Sequence, residues 1–133
     1  MRIFLDTNVV VSAMATRGLC ADLFHAILAE HELVLGETVL AEVQRVLRRK
    51  LRVAPDTTKD IETYLRAQAT VVKARGERRF KGLDAADSAV VAEAVAAEAD
   101  VLVSGDKDLL RLTDPPLRIV SPRGLWDVLR RAT

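Results

Sequence analysis

Four acidic side chains lie at predicted strand ends or on predicted helices, in positions from which an α/β protein can do chemistry. Asp6 directly follows a short apolar run, and Asp106 comes three residues after a second one. Asp87 lies in the first turn of the predicted helix before that second run, and Glu42 lies on the apolar flank of another predicted helix. Because ligands of parallel sheets bind beyond the carboxyl ends of the strands, we expect these carboxylates to converge on one edge of a sheet.

Carboxylates gathered in this way repel one another, since two unit charges about 6 Å apart cost about 3 kcal/mol at an effective dielectric constant of about 20. The cluster therefore predicts raised pKa values or a bound cation. Carboxylate oxygens and water suit Mg²⁺ or Mn²⁺, whereas His25 and His31 lie far from the strand ends and provide no zinc site. A magnesium ion with open positions suits phosphoryl transfer, because it polarises the phosphate and lowers the pKa of an attacking water.

Each acid also has a purely structural interpretation. Asp6 would cap the helix that follows it, and Asp84 is favoured as an N-cap over a metal ligand. Asp108 fits equally well as the cap of a short helix and as a support for the cluster. Glu42, taken alone, would be an ordinary solvated residue. The joint arrangement of the acids therefore carries the prediction.

The elements that would position these acids follow from alternating short apolar runs and longer periodic stretches. Predicted strands cover residues 3–5, 33–35, 71–72, 101–103 and 117–120. Predicted helices cover residues 9–14, 21–28, 38–51, 60–69, 84–98 and 107–112, with a terminal helix opening at Pro122. Residues 55–58 are predicted as a turn and residues 73–82 as an exposed basic loop. This order predicts an α/β fold with a largely parallel sheet.

Composition limits the remaining function classes. The chain has 133 residues, which predicts a single domain over residues 1–133. The 20 basic and 19 acidic residues give a net charge of +1, and 4% of the residues are aromatic, so neither a highly basic nucleic-acid sleeve nor a stacking platform for single strands is expected. The longest apolar stretch, residues 85–99, is interrupted by three acids and rich in alanine, so we expect no membrane span and a cytoplasmic protein.

Four short motifs together resemble the PIN-domain ribonucleases, and within them the VapC toxins of type II toxin–antitoxin systems. The resemblance covers essentially the whole chain in order and spacing. It rests on Leu5-Asp6-Thr7-Asn8-Val9, Leu40-Ala41-Glu42-Val43, Asp84-Ala85-Ala86-Asp87 and Val103-Ser104-Gly105-Asp106-Lys107-Asp108. It implies a three-layer α/β/α sandwich with a largely parallel central sheet.

The resemblance also implies site residues. They are the acidic quartet Asp6, Glu42, Asp87 and Asp106 as catalytic and metal-holding residues, with support from Thr7, Asn8, Ser104, Asp84 and Asp108. Two positions depart from the pattern that this toxin branch often shows. The motif Asp-Pro-Asp-Asp is replaced by Asp84-Ala85-Ala86-Asp87, and a serine is replaced by Gly36. Neither departure removes a member of the quartet.

The implied activity is hydrolysis of RNA by a Mg²⁺- or Mn²⁺-dependent endoribonuclease that leaves a 5′-phosphate and a 3′-hydroxyl. The implied partners are an antitoxin protein and a second copy of the chain. Basic residues that would guide the RNA backbone are Arg45, Arg48, Arg49, Arg75, Arg78 and Arg79, although basic runs of this kind are more often solvated faces.

Four alternatives remain open. A catalytically silent PIN-like assembly module and a housekeeping PIN nuclease of RNA processing would share the motifs. A phosphatase that forms an aspartyl-phosphate would need an acid where Asn8 stands, and a receiver module would need one after the third strand, where residues 73–75 carry none.

Overall fold

The computed structural model describes residues 1–131, which form five strands and seven helices. The strands are β1 (Arg2–Leu5), β2 (Glu32–Gly36), β3 (Thr70–Val72), β4 (Val101–Val103) and β5 (Arg118–Val120). The helices are α1 (Thr7–Ala15), α2 (Leu19–Glu30), α3 (Glu37–Arg49), α4 (Pro55–Gln68), α5 (Ala85–Ala96), α6 (Lys107–Leu110) and α7 (Pro122–Arg131). All five predicted strands are confirmed.

The strands form one sheet in the order β3-β2-β1-β4-β5, and every pairing in it is parallel. The first strand lies at the centre, where Ile3 pairs with Leu33 on one side and with Val101 on the other. These residues are almost fully buried, as expected for a parallel sheet covered by helices on both faces. The predicted α/β/α sandwich with a parallel sheet is therefore confirmed.

The buried core lies directly beneath the carboxyl edge of the sheet. Phe4 of β1 and Leu102 of β4 are fully buried beside each other in register, and Phe24 of α2 is 2% exposed. The backbone continues the sheet one residue beyond β1, because the Asp6 N–H donates to the Val103 carbonyl at 2.9 Å. This edge carries the acidic residues that follow β1 and β4.

The helices differ from the prediction at their ends, and two of these differences affect how the fold is built. The predicted turn over residues 55–58 is the first turn of α4, which begins at Pro55 because proline at the first helical position loses no hydrogen bond. The buried Thr58 hydroxyl donates to the Ala54 carbonyl at 3.0 Å and stabilises this turn. At the other end of the fold, α1 begins at Thr7 rather than at residue 9, so β1 runs into it through Asp6 alone.

Among the described residues, no single helix is long and apolar enough to cross a membrane. Only α1 and α2 taken together reach the required length and composition, and they are bent by 99° at the break between them.

Candidate active site

The four acids predicted from the sequence line one cleft of about 720 Å³, which we call the acidic cleft. Asp6 and Asp106 follow β1 and β4 and open α1 and α6, respectively. Asp87 lies in the first turn of α5, and Glu42 lies in the second turn of α3. Four segments that are distant in sequence thus bring carboxylates to one place, as the parallel topology predicts.

Asp6 is the most deeply buried member, at 6% exposure. Its Oδ2 accepts a hydrogen bond from the Ser104 hydroxyl at 2.6 Å, and its Oδ1 accepts one from the Thr7 N–H at 2.8 Å. Burial nevertheless raises the pKa of Asp6, and the charges of Asp106 and Glu42 raise it further. The fully buried Ser104 also accepts a hydrogen bond from the Asp106 N–H at 2.9 Å, so one hydroxyl connects two of the acids.

Asp87 is the acid of the cleft on which the largest number of neighbouring carboxylates act. The pKa of Asp87 is raised to about 6, first by burial and then by the negative charges of Asp106, Asp84, Asp6 and Asp108, in that order. Its own N–H donates to Oδ1 of Asp84 at 2.8 Å, which confirms Asp84 as the N-cap of α5. Among the described residues, no hydrogen bond reaches the Asp87 carboxylate to offset this repulsion.

Asp106, Asp87 and Asp108 form the tightest acidic group. One carboxylate oxygen from each of the three lies within 4.8 Å of the other two. Asp106 also caps α6, because its Oδ1 accepts a hydrogen bond from the Asp108 N–H at 2.8 Å. The capping role considered for Asp108 therefore belongs to Asp106, and the exposed Asp108 carboxylate faces the group.

The remaining supporting residues hold the edge together. The Asn8 side-chain oxygen accepts a hydrogen bond from the Gly105 N–H at 3.2 Å, which ties α1 to the turn after β4. The Thr7 hydroxyl is buried at the cleft and has no hydrogen-bond partner among the described residues. On the α3 side, Arg45 forms an ion pair with Glu42 at 3.6 Å, and Lys50 contributes a cation to the cleft wall.

The donor set fits a hard divalent cation. Its members are carboxylates supported by hydroxyl and amide groups, the ligands that Mg²⁺ and Mn²⁺ prefer. Burial raises the pKa of Asp6 and Asp87, and the neighbouring carboxylates raise it further. A cation among Asp6, Asp87 and Asp106 would offset that repulsion.

The structure separates the six predicted RNA-guiding arginines into two groups. Arg45, Arg48 and Arg49 lie on α3, next to the acidic cleft, and line a groove of about 560 Å³. Arg78 and Arg79 line a different pocket of about 270 Å³, and Arg75 is an exposed neighbour in the same loop. The guanidinium of Arg78 stacks over the Phe80 ring at 4.6 Å. Only the α3 group adjoins the cleft.

Glu93 is a residue that sequence reasoning missed. It lies on α5, is 3% exposed, and its carboxylate accepts hydrogen bonds from the Thr38 N–H at 3.1 and 3.3 Å. Glu93 thereby caps α3, whose own N-cap residue, Gly36, has no side chain to do so. A Cβ at Gly36 would lie 2.8 Å from Cδ of Glu93, so a side chain at this position would displace the Glu93 carboxylate. A lone acid in an alanine-rich helix gave no signal for this role.

Comparison with known proteins agrees with the fold. The structure is similar to VapBC2 from Rickettsia felis bound to a DNA fragment from their promoter (14% identity, 91% of this chain and 98% of that chain, TM-score 0.68). It is also similar to VapBC-1 from nontypeable Haemophilus influenzae (18% identity, 92% and 99%, TM-score 0.67). A third similar structure is VapC20 from Mycobacterium tuberculosis, described as a sarcin-ricin loop cleaving toxin (16% identity, 84% and 97%, TM-score 0.55).

These identities are too low to show more than the fold, and no curated protein matches the chain in sequence. The family is shown by a match to the PIN domain over residues 2–108. That range includes the whole acidic quartet and most of the 133 residues, and the chain therefore belongs to the PIN domain family.

Proposed function

We propose that the protein is an endoribonuclease that requires Mg²⁺ or Mn²⁺ and acts as the toxin of a type II toxin–antitoxin pair. The observation that carries this proposal is the convergence of Asp6, Glu42, Asp87 and Asp106 in one cleft, with the pKa of two of them raised. Membership of the PIN domain family supports nuclease chemistry. The likeness to VapC20, a sarcin-ricin loop cleaving toxin, supports RNA as the substrate.

In this proposal Asp6, Asp87 and Asp106 hold the metal, and Asp108 is near enough to assist. The ion, when bound, polarises the phosphate and lowers the pKa of the attacking water. Ser104 fixes the Asp6 carboxylate through its 2.6 Å hydrogen bond, so that this ligand needs little reorganisation.

The chain's own residues would carry the hydrolysis as follows. Glu42, oriented by Arg45 on the α3 wall, positions the water and accepts its proton. The water oxygen attacks phosphorus in line with the 3′ oxygen, and the bond between phosphorus and that oxygen breaks. The 3′ oxygen takes a proton from solvent, which leaves a 3′-hydroxyl and a 5′-phosphate.

The proposed partners are an antitoxin that blocks the cleft and a second copy of the chain. The support comes from the VapBC complexes that share this fold. An RNA substrate would make the cytoplasm the place of action. A small adjacent reading frame, whose product relieves growth arrest caused by this chain, would establish the toxin role. A mass of twice 14.6 kDa in light scattering would establish the dimer.

The nuclease proposal is tested by incubating purified protein with RNA and Mg²⁺ or Mn²⁺, with and without EDTA. We expect Asp6→Asn and Asp87→Asn each to lower cleavage by at least about 100-fold, because each removes a charged metal ligand without changing side-chain size. Asp60→Asn makes the same chemical change on the exposed surface of α4 and is expected to keep full activity.

Cleavage that survives both EDTA and the two cleft variants would overturn the mechanism. A protein that never cleaves RNA but still assembles with its partner would instead be the silent PIN-like module.

A further inference from the structure

Helix α3 presents two different chemical stripes on either side of its exposed surface. Glu42, Val46 and Lys50 recur at four-residue spacing and line the acidic cleft. Arg45, Arg48, Arg49 and Arg52 lie beside them, on α3 and the turn after it, and line the neighbouring groove, which we call the arginine groove. One helix therefore separates a site that attracts cations from a site that attracts anions.

The arginine groove and the acidic cleft are neighbours. Val53, in the turn after α3, lines both of them, so this turn forms part of the wall between them. The ion pair between Arg45 and Glu42, at 3.6 Å, joins the two stripes across the helix surface. A strand that left the cleft across α3 would therefore meet the groove next.

The positive charge of this groove is largely uncompensated. Within residues 1–131, Arg48, Arg49 and Arg52 form no ion pair, and all three side chains are exposed. Arg66 on α4 shows the contrast, because it is paired with Glu37 at 2.8 Å and with Glu62 at 2.9 Å. Three adjacent unpaired guanidinium groups repel one another, which favours an anionic ligand.

The turn that carries the last arginine is held in shape. Arg52 has a φ of 53°, in the left-handed region that is costly for a residue with a side chain. The Leu51 N–H donates to the Val46 carbonyl at 3.1 Å, and the Val53 N–H donates to the Leu47 carbonyl at 2.8 Å. These two hydrogen bonds fold the chain back against α3 and keep Arg52 at the rim of the groove.

We propose that the arginine groove binds the sugar–phosphate backbone of the RNA on one side of the cleaved bond. This assignment rests on the proposed function, because it takes the strand in the cleft to be the strand in the groove. Guanidinium groups bind phosphate oxygens in pairs of parallel hydrogen bonds. Within α3 the helical rise from Arg45 to Arg49 is about 6 Å, and Arg52 extends the basic surface into the turn beyond the helix.

The arginines of the basic loop over residues 73–82 lie outside this path, although Lys81 of the same loop lines a pocket with Asp108. Arg78 and Arg79 line the pocket next to Glu93, and that pocket shares no lining residue with the acidic cleft. The structure therefore assigns backbone binding to the arginines of the groove. The arginines of the loop serve as the control in the experiment.

The test measures binding without cleavage. A fluorescent single-stranded RNA of about 12 nucleotides is titrated in EDTA at several KCl concentrations, with the unmodified protein and two triple variants. Arg48→Gln, Arg49→Gln and Arg52→Gln together remove the groove charge, whereas Arg75→Gln, Arg78→Gln and Arg79→Gln remove the same charge from the loop. Circular dichroism and melting curves check that both remain folded.

We expect the groove variant to lose at least about tenfold in affinity for the RNA at 100 mM salt. The plot of log K against log salt should also become shallower by about 2, at about 0.7 per lost phosphate contact. The loop variant is expected to lose less than about threefold. Equal losses in the two variants, or no measurable RNA binding by the unmodified protein, would overturn the proposal. Polyglutamate of matched charge is added as a competitor. If it displaces the RNA, and RNA binding lacks the expected salt slope, the ligand of the groove is an acidic polypeptide and the proposal is overturned. Because no step requires cleavage, a failed nuclease activity and a failed groove are distinguishable.

Discussion

The carboxylates of the acidic cleft are placed by local hydrogen bonds to the backbone. Asp6, Asp84 and Asp106 each accept a bond from an N–H group at the start of the helix that follows. An aspartate that caps a helix can therefore also belong to the site, because the three capped helices, α1, α5 and α6, all begin at the same edge of the sheet. Asp87 differs, since its carboxylate caps nothing and bears the repulsion of the others.

At this scale we predict that Asp87→Asn stabilises the metal-free protein. The folded-state pKa of Asp87 is about 6, above the unfolded value of 3.8, so at pH 7 its ionised form is disfavoured by folding. Replacing the charge by an amide should raise the free energy of unfolding by about 1 kcal/mol after allowance for solvent screening. The melting temperature in EDTA should rise by about 3–5 °C.

The control for this stabilisation is Asp60→Asn, which should leave the melting temperature within about 1 °C. A lower melting temperature for Asp87→Asn would mean that the carboxylate is a structural acceptor rather than a strained ligand.

At the scale of the element, α3 depends on another helix for its start. Gly36 leaves the first turn of α3 without a side-chain cap, and Glu93 of α5 supplies the missing carboxylate. The same contact sets the orientation of the helix that carries Glu42 and the arginine groove. Burial raises the pKa of Glu93, and the Thr38 N–H partly offsets this by favouring the ionised form.

We predict that Glu93→Ala destabilises the fold by about 1–3 kcal/mol, because the Thr38 N–H loses its buried acceptor. Glu93→Gln keeps an acceptor oxygen and should lie within about 1 kcal/mol of the unmodified protein. Gly36→Ala should be destabilising alone, through its clash with Glu93, but much less so combined with Glu93→Ala. Denaturant unfolding of the four variants gives the coupling energy, and strictly additive effects would refute the contact.

The elements also show what a sequence can predict. Strands such as β1 and β4 were predictable because both their faces are apolar, and the quartet was predictable because strand ends share an edge. The start of α4 was missed because a proline indicates a turn as readily as a first helical position. Glu93 was missed because its partner, Thr38, is 55 residues away and only packing of α5 beside α3 brings them together.

At the scale of the whole molecule, the net charge of +1 conceals two opposed regions. The fold gathers carboxylates at the sheet edge, and the outer surface of α3 gathers arginines in the neighbouring groove. This arrangement favours a substrate with several phosphates. One phosphate would lie in the acidic cleft, with a cation between it and the carboxylates, and others would lie in the arginine groove. Because the net charge is only +1, the rest of the surface attracts polyanions weakly.

The concentration of carboxylates predicts how the stability of the whole protein responds to pH and metal. The pKa values of Asp6, Asp87 and Glu93 are all raised, so at these three sites the folded state binds more protons than the unfolded state. Only Glu37, whose pKa is lowered by Arg66, acts in the opposite direction among the described carboxylates with a shifted pKa. In EDTA, the free energy of unfolding should therefore fall as pH rises from about 4 through about 6. Since Mn²⁺ needs the ionised carboxylates, the stabilisation by metal should grow over the same interval.

Melting curves with EDTA or Mn²⁺ at pH 5 and pH 7 check this prediction. With Mn²⁺ at 100 times its dissociation constant, the gain at pH 7 should be about 2.7 kcal/mol. The gain should be clearly smaller at pH 5, where Asp87 is mostly protonated, and should nearly vanish in Asp87→Asn at either pH. Asp60→Asn should behave as the unmodified protein. An equal gain at both pH values would mean that the ion binds outside the acidic cleft, because a site containing Asp87 must release a proton to take the metal.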